Sequence, residues 1–330
     1  FDLGTLYHTA IEHCFREAAR EKRELTTYAS EELDRLAVAS VQSAAEEYNH
    51  GVMQDSARNR YLVHKVSEIT RTTMWALSEQ LKRGEFHVAE LEQEFTYVRN
   101  GLRLKGRIDR VDLSEDESHV YVKVLDYKSG ETKFSLQKVY NGQQLQLVTY
   151  MNQVLNDYQN RFPKKEVVPA AMLYYHIKDS IIDYAEGATP EEEALQHLRA
   201  LKVEGLINTD MEVIHRLDRD AEKDSDVIKI AIKDGAVNES RHTVANSYRI
   251  RALGKYVEEK IRHCTKEIQS GRITIDPVQE DTITACTYCP YHAVCHFDRR
   301  LDGFDYKKLE KRDEQEIWNE IAPVQEEKEV

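Results

Sequence analysis

The chain has 330 residues, of which 41% are hydrophobic and 32% charged, and its formal net charge at pH 7 is −13. This composition is too apolar for a wholly disordered chain, and no apolar run approaches the ~20 residues that a membrane-spanning helix needs. The acidic balance excludes a protein that coats nucleic acid through overall basicity, although an enzyme with a local basic channel remains compatible with it. The length allows about two domains, or one large elaborated domain.

The chain begins with Phe1 rather than Met, and no signal peptide precedes its first helical phrase. We therefore expect a fragment of a longer polypeptide. The five cysteines are an odd number, and three of them are crowded near one end, which does not suit a disulfide framework. A reducing cytoplasm is the compartment that this cysteine usage favours.

The first part of the chain is predicted to be helical. Apolar residues recur every three or four positions from Thr5 to about Arg83, and new helices are expected to begin at Ser30 and Ser56. From Phe86 the pattern changes to alternation. Three alternating runs predict an antiparallel meander, and they cover residues 86–97, 102–109 and 120–126.

The second half mixes both patterns. We predict a helix over 143–158, a buried strand over 167–175 and a partner strand over 177–184, followed by helices over 190–203 and 240–270. The tail after Asp302 is highly charged, and we expect it to be frayed. Helices, then a mixed sheet, then helices again indicate an α/β fold around one modest sheet.

The strand at 120–128 ends in an unusual pair of side chains. Its alternation places Asp126 and Lys128 on the same face as three valines, where an unpaired charge would be costly. If this strand pairs with the preceding one through the turn at 113–119, Asp109 faces Asp126 across the ladder. Two carboxylates so close repel each other, and a divalent cation relieves the repulsion. The set suits metal-assisted phosphodiester hydrolysis, with Lys128 orienting a water or stabilising the transition state. The simpler interpretation of these three residues, taken alone, is a solvated salt bridge.

The surrounding run, Gly106-Arg107-Ile108-Asp109 followed by Val124-Leu125-Asp126-Tyr127-Lys128-Ser129-Gly130, resembles the nuclease motif of the RecB-type branch of the PD-(D/E)xK superfamily. Gln146 and Tyr150 resemble the family's Gln-x-x-x-Tyr helix, and His8 resembles its histidine on an N-terminal helix. The resemblance implies a restriction-endonuclease-like mixed sheet flanked by helices, with helical N- and C-terminal extensions.

The resemblance also implies roles for these residues. The cation, Mg²⁺ or Mn²⁺, would be bound by His8, Asp109, Asp126 and the backbone carbonyl of Tyr127. Lys128 would assist the attacking water, and Gln146 and Tyr150 would position the lysine or the phosphate strand. Each piece has a simpler interpretation: a lone histidine is more often a core residue, and two polar residues four apart can be an amphipathic boundary.

The cysteines Cys286, Cys289 and Cys295 have a spacing that can hold one soft metal centre, zinc or an iron–sulfur cluster. Either needs a fourth ligand, and the candidates for zinc are Cys264, His292, His296 and Cys14. In the RecB-like nucleases that carry a [4Fe–4S] cluster, the fourth cysteine lies upstream of the histidine helix. No such cysteine is present here, which makes the cluster doubtful in this fragment though not in the parent protein.

Within that superfamily, the segments 171–177, 201–206 and 212–214 and the cysteine region resemble the C-terminal nuclease domain of AddB-type subunits of bacterial AddAB (RexAB) helicase–nucleases. We expect a helical part carrying His8 at 1–83, a nuclease core at 84–185, a helical part with the cysteines at 186–300 and a charged tail at 301–330.

The resemblance implies a deoxyribonuclease acting on DNA, mainly single-stranded ends, in double-strand-break resection, with an AddA-like subunit as partner, in a bacterial cytoplasm. The rival interpretation is a catalytically silent scaffold that binds DNA or docks a helicase. Because the chain is acidic overall, DNA binding must rest on local basic residues that contact phosphates; the candidates are Lys133, Lys138, Lys164, Lys165, Arg299 and Arg300, and the simpler interpretation of each is a solvated surface charge.

Overall fold

The computed structural model describes residues 3–99, 101–179, 187–240 and 243–323. Three long helices form the N-terminal part: α1 (Leu3–Arg20), α2 (Ser30–Glu47) and α3 (Ala57–Arg83), with 3₁₀ turns at Leu25–Thr27 and Tyr48–Gln54. The side chain of Ser56 caps α3 by accepting a hydrogen bond from the backbone N–H of Asn59. The helical prediction for this part is confirmed.

A mixed sheet follows. Its first strands are β1 (His87–Arg99), β2 (Leu102–Glu115), β3 (His119–Lys128), β4 (Glu166–His176) and β5 (Glu204–Asn208), and a hairpin of β6 (Ile232–Lys233) and β7 (Ala236–Val237) precedes β8 (Val244–Ala245). In the described part of the chain the main sheet has six strands in the order β1-β2-β3-β4-β5-β8. The predicted antiparallel meander is β1-β2-β3, whereas β4 joins β3 in parallel.

The remaining helices surround this sheet; they are α4 (Leu136–Tyr140), α5 (Gln146–Arg161), α6 (Pro190–Ala200), α7 (Met211–Leu217), α8 (Ser247–Gln269), α9 (His292–Cys295) and α10 (Glu314–Ile321). A small second sheet is formed by β9 (Val278–Glu280), β10 (Ile283–Thr284) and β11 (Lys307–Lys308). No helix in the described ranges is both long and apolar enough to span a membrane.

The sheet separates two hydrophobic cores, because β3 sends alternate side chains to opposite faces. Val120, Val122 and Val124 pack into the core that contains α5, α8 and α10, whereas Tyr121 and Leu125 pack into the core with α1, α2 and α3. Burial of each valine stabilises the fold by about 1.5–3 kcal/mol. The restriction-endonuclease-like mixed sheet flanked by helices, predicted from the sequence, is confirmed.

Three local predictions are wrong. Residues 177–179 are irregular rather than a strand, while 180–186 lie outside the described residues, and the antiparallel neighbour of β4 is β5 instead. The part at 186–300 is not purely helical, since it contributes β5 and β8 to the sheet. The tail is not frayed at 314–321, because Ile317 and Trp318 of α10 are buried against the core. The four-part domain division stays a prediction.

Candidate active site

Three carboxylates lie side by side on the three strands of the meander. The pairs Leu91↔Arg110 and Gln93↔Ile108 flank Glu92 and Asp109, which places these two residues opposite each other on β1 and β2. The last β2–β3 pair is Arg110↔Leu125, so the next position along places Asp109 beside Asp126. The sequence prediction that Asp109 faces Asp126 therefore agrees with the register.

His8, on α1, reaches the same place. Its Nδ1 lies 3.5 Å from Oδ2 of Asp109, and its Nε2 lies 3.0 Å from the carbonyl oxygen of Tyr127. The same Asp109 oxygen accepts a hydrogen bond of 2.8 Å from the backbone N–H of Tyr127. The structure thus brings His8, Asp109 and the Tyr127 carbonyl together, as the resemblance implied.

Lys128 is held by a line of contacts on the α5 side. Its Nζ lies 2.6 Å from Oδ2 of Asp126 and donates to Oε1 of Gln146 at 3.4 Å. Gln146 in turn donates from Nε2 to the hydroxyl of Tyr150 at 2.7 Å. Gln146 and Tyr150 are four residues apart and share a helix face, so one helix turn fixes the ammonium group at the end of β3.

Packing explains why residue 106, the first of the Gly-Arg-Ile-Asp run, is a glycine. Phe95 pairs with Gly106 across the β1–β2 ladder, and a Cβ added at Gly106 would lie 2.4 Å from the Phe95 ring and 3.2 Å from the Tyr150 ring. The Phe95 ring therefore lies directly over β2, where it meets Tyr150 edge-on with centroids 5.8 Å apart. Gly106 makes room for the ring that supports Tyr150.

Glu92 is a site residue that the sequence did not reveal. It has a positive φ of 48°, unusual for a residue other than glycine, and its side chain is 6% exposed, with Arg107 Nε 2.7 Å from Oε2. The ligand atoms of His8, Glu92 and Asp109 all lie within 4.8 Å of one another. Asp126 is not in this close group, because its carboxylate turns to Lys128. The one signal in the sequence was an acid on β1 opposite Asp109, and its burial was not predictable.

Burial and the charges of neighbouring groups shift the pKa values of the site residues. Burial and then the charge of Asp109 raise the pKa of Glu92 to about 7 and that of Asp126 to about 6, against the opposing pull of Arg107 on Glu92 and of Lys128 on Asp126. Burial alone would lower the pKa of His8, but its hydrogen bond to Asp109 and the neighbouring carboxylates outweigh this, so that its pKa is raised. The carboxylates thus form a site that attracts positive charge.

This donor set fits a divalent cation. Carboxylate oxygens, a backbone carbonyl and one imidazole are suitable ligands for Mg²⁺ or Mn²⁺. Oε2 of Glu92 and Oδ2 of Asp126 are buried and accept no hydrogen bond of regular geometry from the described residues. Each of these oxygens lies beside a cationic group, Arg107 Nε at 2.7 Å from Glu92 and Lys128 Nζ at 2.6 Å from Asp126. A cavity of about 350 Å³ opens above the carboxylates, lined by His8, Glu12, Glu92, Asp109 and Tyr150 among others.

The opposite face of β2 carries a buried ion network. Asp112 is fully buried and accepts from Arg110 Nε and Nη2 at 2.6 and 2.7 Å, while Lys123 Nζ lies 2.8 Å away. Burial opposes ionisation of Asp112, but the two cations outweigh it and lower the pKa of this carboxyl. Arg110 follows Asp109 directly, so the strand is held on both faces at the site.

The cysteine region sits apart from this site in the sequence. Cys286, Cys289 and Cys295 are partly exposed, Cys264 is exposed, and Cys14 is buried in α1 with its Sγ 4.0 Å from the Leu36 carbonyl. Among the described residues, no group of three or more cysteine and histidine residues has its ligand atoms within 4.8 Å of one another. A tetrahedral zinc site requires closer sulfurs, since Zn–S bonds are only ~2.3 Å long. The structure therefore holds no preformed zinc geometry in the part described.

Most of the basic residues predicted to contact phosphates form ion pairs within the protein. Lys138, Lys165, Arg299 and Arg300 each lie in an ion pair with a nearby carboxylate. Lys133 differs, because it lines a cavity of about 240 Å³ next to the end of β3. The other basic side chains of that cavity are His176, Lys178, Lys202 and Lys229, and Ser129 and Gly130, which directly follow Lys128, form part of its wall.

Comparison with known proteins identifies the family. A model of the PD-(D/E)XK nuclease superfamily matches residues 1–296. An ATP-dependent helicase/deoxyribonuclease subunit of Lachnoclostridium phytofermentans is 32% identical over 97% of this chain and 28% of its own length, and that of Alkaliphilus oremlandii is 30% identical over 97% and 29%. The Clostridium kluyveri protein of the same name is 30% identical over 82% of this chain and 25% of its own. The chain thus spans less than a third of the length of these relatives. With its three-strand meander, its acidic site and its match over nearly the whole chain, it belongs to the PD-(D/E)XK nuclease superfamily.

Proposed function

We propose that this chain is the nuclease domain of an AddB-type helicase–nuclease subunit and hydrolyses DNA phosphodiester bonds with Mg²⁺ or Mn²⁺. One observation carries the proposal: Asp109 lies against His8 and takes the ladder position beside Asp126, whose carboxylate holds Lys128, with Gln146 and Tyr150 behind the lysine. These residues occur in the order that the superfamily's motif requires. The similarity to helicase/deoxyribonuclease subunits supports the class of substrate.

Each residue has a physical role in this proposal. His8, Asp109, Asp126 and the Tyr127 carbonyl would hold the cation, which when bound acidifies a water and neutralises charge on the scissile phosphate. Asp126 and Gln146 fix the ammonium of Lys128 beside the reacting phosphate, where its charge stabilises the transition state. Tyr150, supported by the Phe95 ring, keeps Gln146 in place. The neighbouring carboxylates repel phosphate until the cation is present.

The DNA strand would run along the lysine-lined cavity beyond Lys128. Lys133 and Lys178 lie on its wall, a few residues from the catalytic strands, and lysine contacts to phosphates fix a strand without reading its sequence. The net charge of −13 gives little general attraction for DNA. We therefore propose that a motor partner, an AddA-like subunit, delivers single-stranded ends during double-strand-break repair in the bacterial cytoplasm.

The cysteine region extends this proposal to the parent protein. Cys286, Cys289 and Cys295 would bind a [4Fe–4S] cluster together with a cysteine upstream of this chain. Their partial exposure and their close spacing along the sequence suit thiolates that share one cluster. The cluster would then tie the start of the domain to its C-terminal segment and couple metal binding to folding.

The test is digestion of end-labelled single-stranded DNA by the purified chain, with Mg²⁺, with Mn²⁺ and with EDTA. We expect hydrolysis that needs the cation and that falls at least about a hundredfold in Lys128→Met and in Asp126→Asn. Glu117→Gln, a change of an exposed acid in the β2–β3 turn, serves as the matched control and should cleave normally. Wild-type activity in either site variant, with contaminating nuclease excluded, would contradict the assignment; folded protein without any cleavage would favour the silent scaffold.

A further inference from the structure

The superfamily's motif accounts for carboxylates on β2 and β3, but the closest group of ligand atoms in the described residues uses β1. It consists of His8, Glu92 and Asp109, whose ligand atoms lie within 4.8 Å of one another. Both ring nitrogens of His8 face this group: Nδ1 lies near the Asp109 carboxylate and Nε2 near the Tyr127 carbonyl. Glu92 therefore belongs to this group together with Asp109, whereas Asp126, the other acid that the motif assigns, does not.

The backbone shows why Glu92 points there. Its left-handed φ of 48° coincides with a missing pair in the β1–β2 ladder, between Leu91↔Arg110 and Gln93↔Ile108. A side chain other than glycine adopts this conformation at a cost, and such strain persists where the surroundings fix it. The neighbouring Glu94 keeps the ordinary strand conformation and is exposed. The irregularity thus directs one of the glutamates of β1 into the cavity.

The ion pair with Arg107 does not fully account for this burial. The Glu92 side chain is 6% exposed whereas that of Arg107 is 57% exposed, so the acid is buried and its partner is mostly in water. An ion pair with such an exposed cation offsets only a small part of the free energy that burying a carboxylate costs. The Glu92 carboxylate also lines the cavity together with His8 and Asp109. A cation inside the cavity would compensate the buried charge far better than Arg107 does.

We propose that Glu92 is a direct ligand of the divalent cation held by His8 and Asp109, so that the metal centre draws a carboxylate from each strand of the meander. The inference rests on the proposed function only for the presence of a cation. Hard oxygen ligands of this kind suit Mg²⁺ and Mn²⁺. Because Glu92 lies in the β1–β2 hairpin and His8 on α1, binding would also join these two elements.

The experiment measures Mn²⁺ affinity by EPR titration of the purified chain without DNA. We expect Glu92→Gln to weaken binding at least about tenfold, as loss of a ligand does at minimum. Arg107→Gln removes the competing cation but keeps the carboxylate, so its affinity should be unchanged or tighter. Glu12→Gln removes a charge from the same cavity wall and tests for a general electrostatic effect; Glu94→Gln is the exposed control on the same strand. Glu94→Gln should stay within about threefold of wild type, and any loss in Glu12→Gln should be clearly smaller than the loss in Glu92→Gln.

The outcomes separate the alternatives. If Glu92→Gln binds Mn²⁺ like wild type, or if Arg107→Gln weakens binding as much as Glu92→Gln does, then Glu92 serves only its ion pair and the inference fails. An equal loss in Glu12→Gln would equally overturn it, since charge alone would explain the effect. DNA cleavage is measured separately: a cleaving wild type with an unaffected Glu92→Gln affinity refutes this inference alone, whereas Mn²⁺ binding without cleavage refutes the proposed function alone.

Discussion

The buried ion network behind the site offers a quantitative prediction for Asp112→Asn. Asp112 is fully buried and compensates two cations, Arg110 through two hydrogen bonds and Lys123 through one ion pair. Asparagine keeps the shape and can still accept a hydrogen bond, but it removes the negative charge. Two cationic groups would then share an apolar core without an anion beside them.

The expected cost is large. Removing one partner of a buried ion pair destabilises by about 3–5 kcal/mol, because an uncompensated charge stays behind. A domain is stable by only about 5–15 kcal/mol, so the variant should lose about a fifth or more of its stability. The Arg110 guanidinium also lies 5.0 Å from the Phe15 ring centroid, but this cation–π contact is present in the wild type too and does not offset the loss.

The assay is urea unfolding followed by circular dichroism at pH 7, with Glu117→Gln as the control for loss of one exposed acid. A triple variant, Arg110→Met with Asp112→Leu and Lys123→Met, tests the cause, since replacing a whole buried network by apolar residues is often neutral. We expect it to be more stable than Asp112→Asn. A free energy of unfolding for Asp112→Asn within about 1 kcal/mol of wild type would refute the reasoning, as would a triple variant that is less stable than the single one.

Three further predictions concern the packing at Gly106, the ionisation of Glu92 and the metal bound by the cysteines. Gly106→Ala should displace the Phe95 ring and lower both the free energy of unfolding and the DNA cleavage rate, whereas unchanged values in both assays would show that the ring yields freely. In EDTA, Glu92→Gln should stabilise the protein by about 2 kcal/mol more at pH 8 than at pH 5, because the folded pKa of about 7 lies above the unfolded value near 4.3, so that the folded state loses stability as the wild-type carboxyl ionises; an equal effect at both pH values in urea unfolding would contradict it. A longer parent chain that includes the upstream cysteine should contain about four iron atoms by elemental analysis and lose them in Cys289→Ala, and stoichiometric zinc instead would show that the metal is wrong.

The strands that carry Asp109 and Asp126 were predictable because their signals are local. Alternation in 102–109 and 120–126 fixes two strands, and the short turn between them fixes the register, which then sets Asp109 beside Asp126. The helix carrying Gln146 and Tyr150 was equally visible, since a spacing of four puts both on one face. Proximity of His8 could not come from periodicity, and only the resemblance to the family indicated it.

Other features depend on tertiary contacts that no local pattern contains. Glu90, Glu92 and Glu94 look alike in the sequence, and only the left-handed backbone at Glu92 turns that one inward. The helix α10 lies in a strongly charged tail, and its two buried residues, Ile317 and Trp318, are too few to give an amphipathic period. The strand β5 is only five residues long and contains Gly205, so alternation is too short to identify it.

The two faces of β2 explain how the site can hold its acids close together. On one face Asp109 accepts from the Tyr127 N–H and faces His8, and repulsion from Glu92 and Asp126 would push it away. On the other face Arg110 and Asp112 hold the same stretch of strand to β3 through Lys123. The free energy that the buried network contributes therefore opposes the repulsion at the site. A domain whose network is broken should bind its cation more weakly even with every ligand intact, so Asp112→Asn should lower Mn²⁺ affinity under conditions in which it is still folded, and unchanged affinity in the folded variant would show that the two faces act independently.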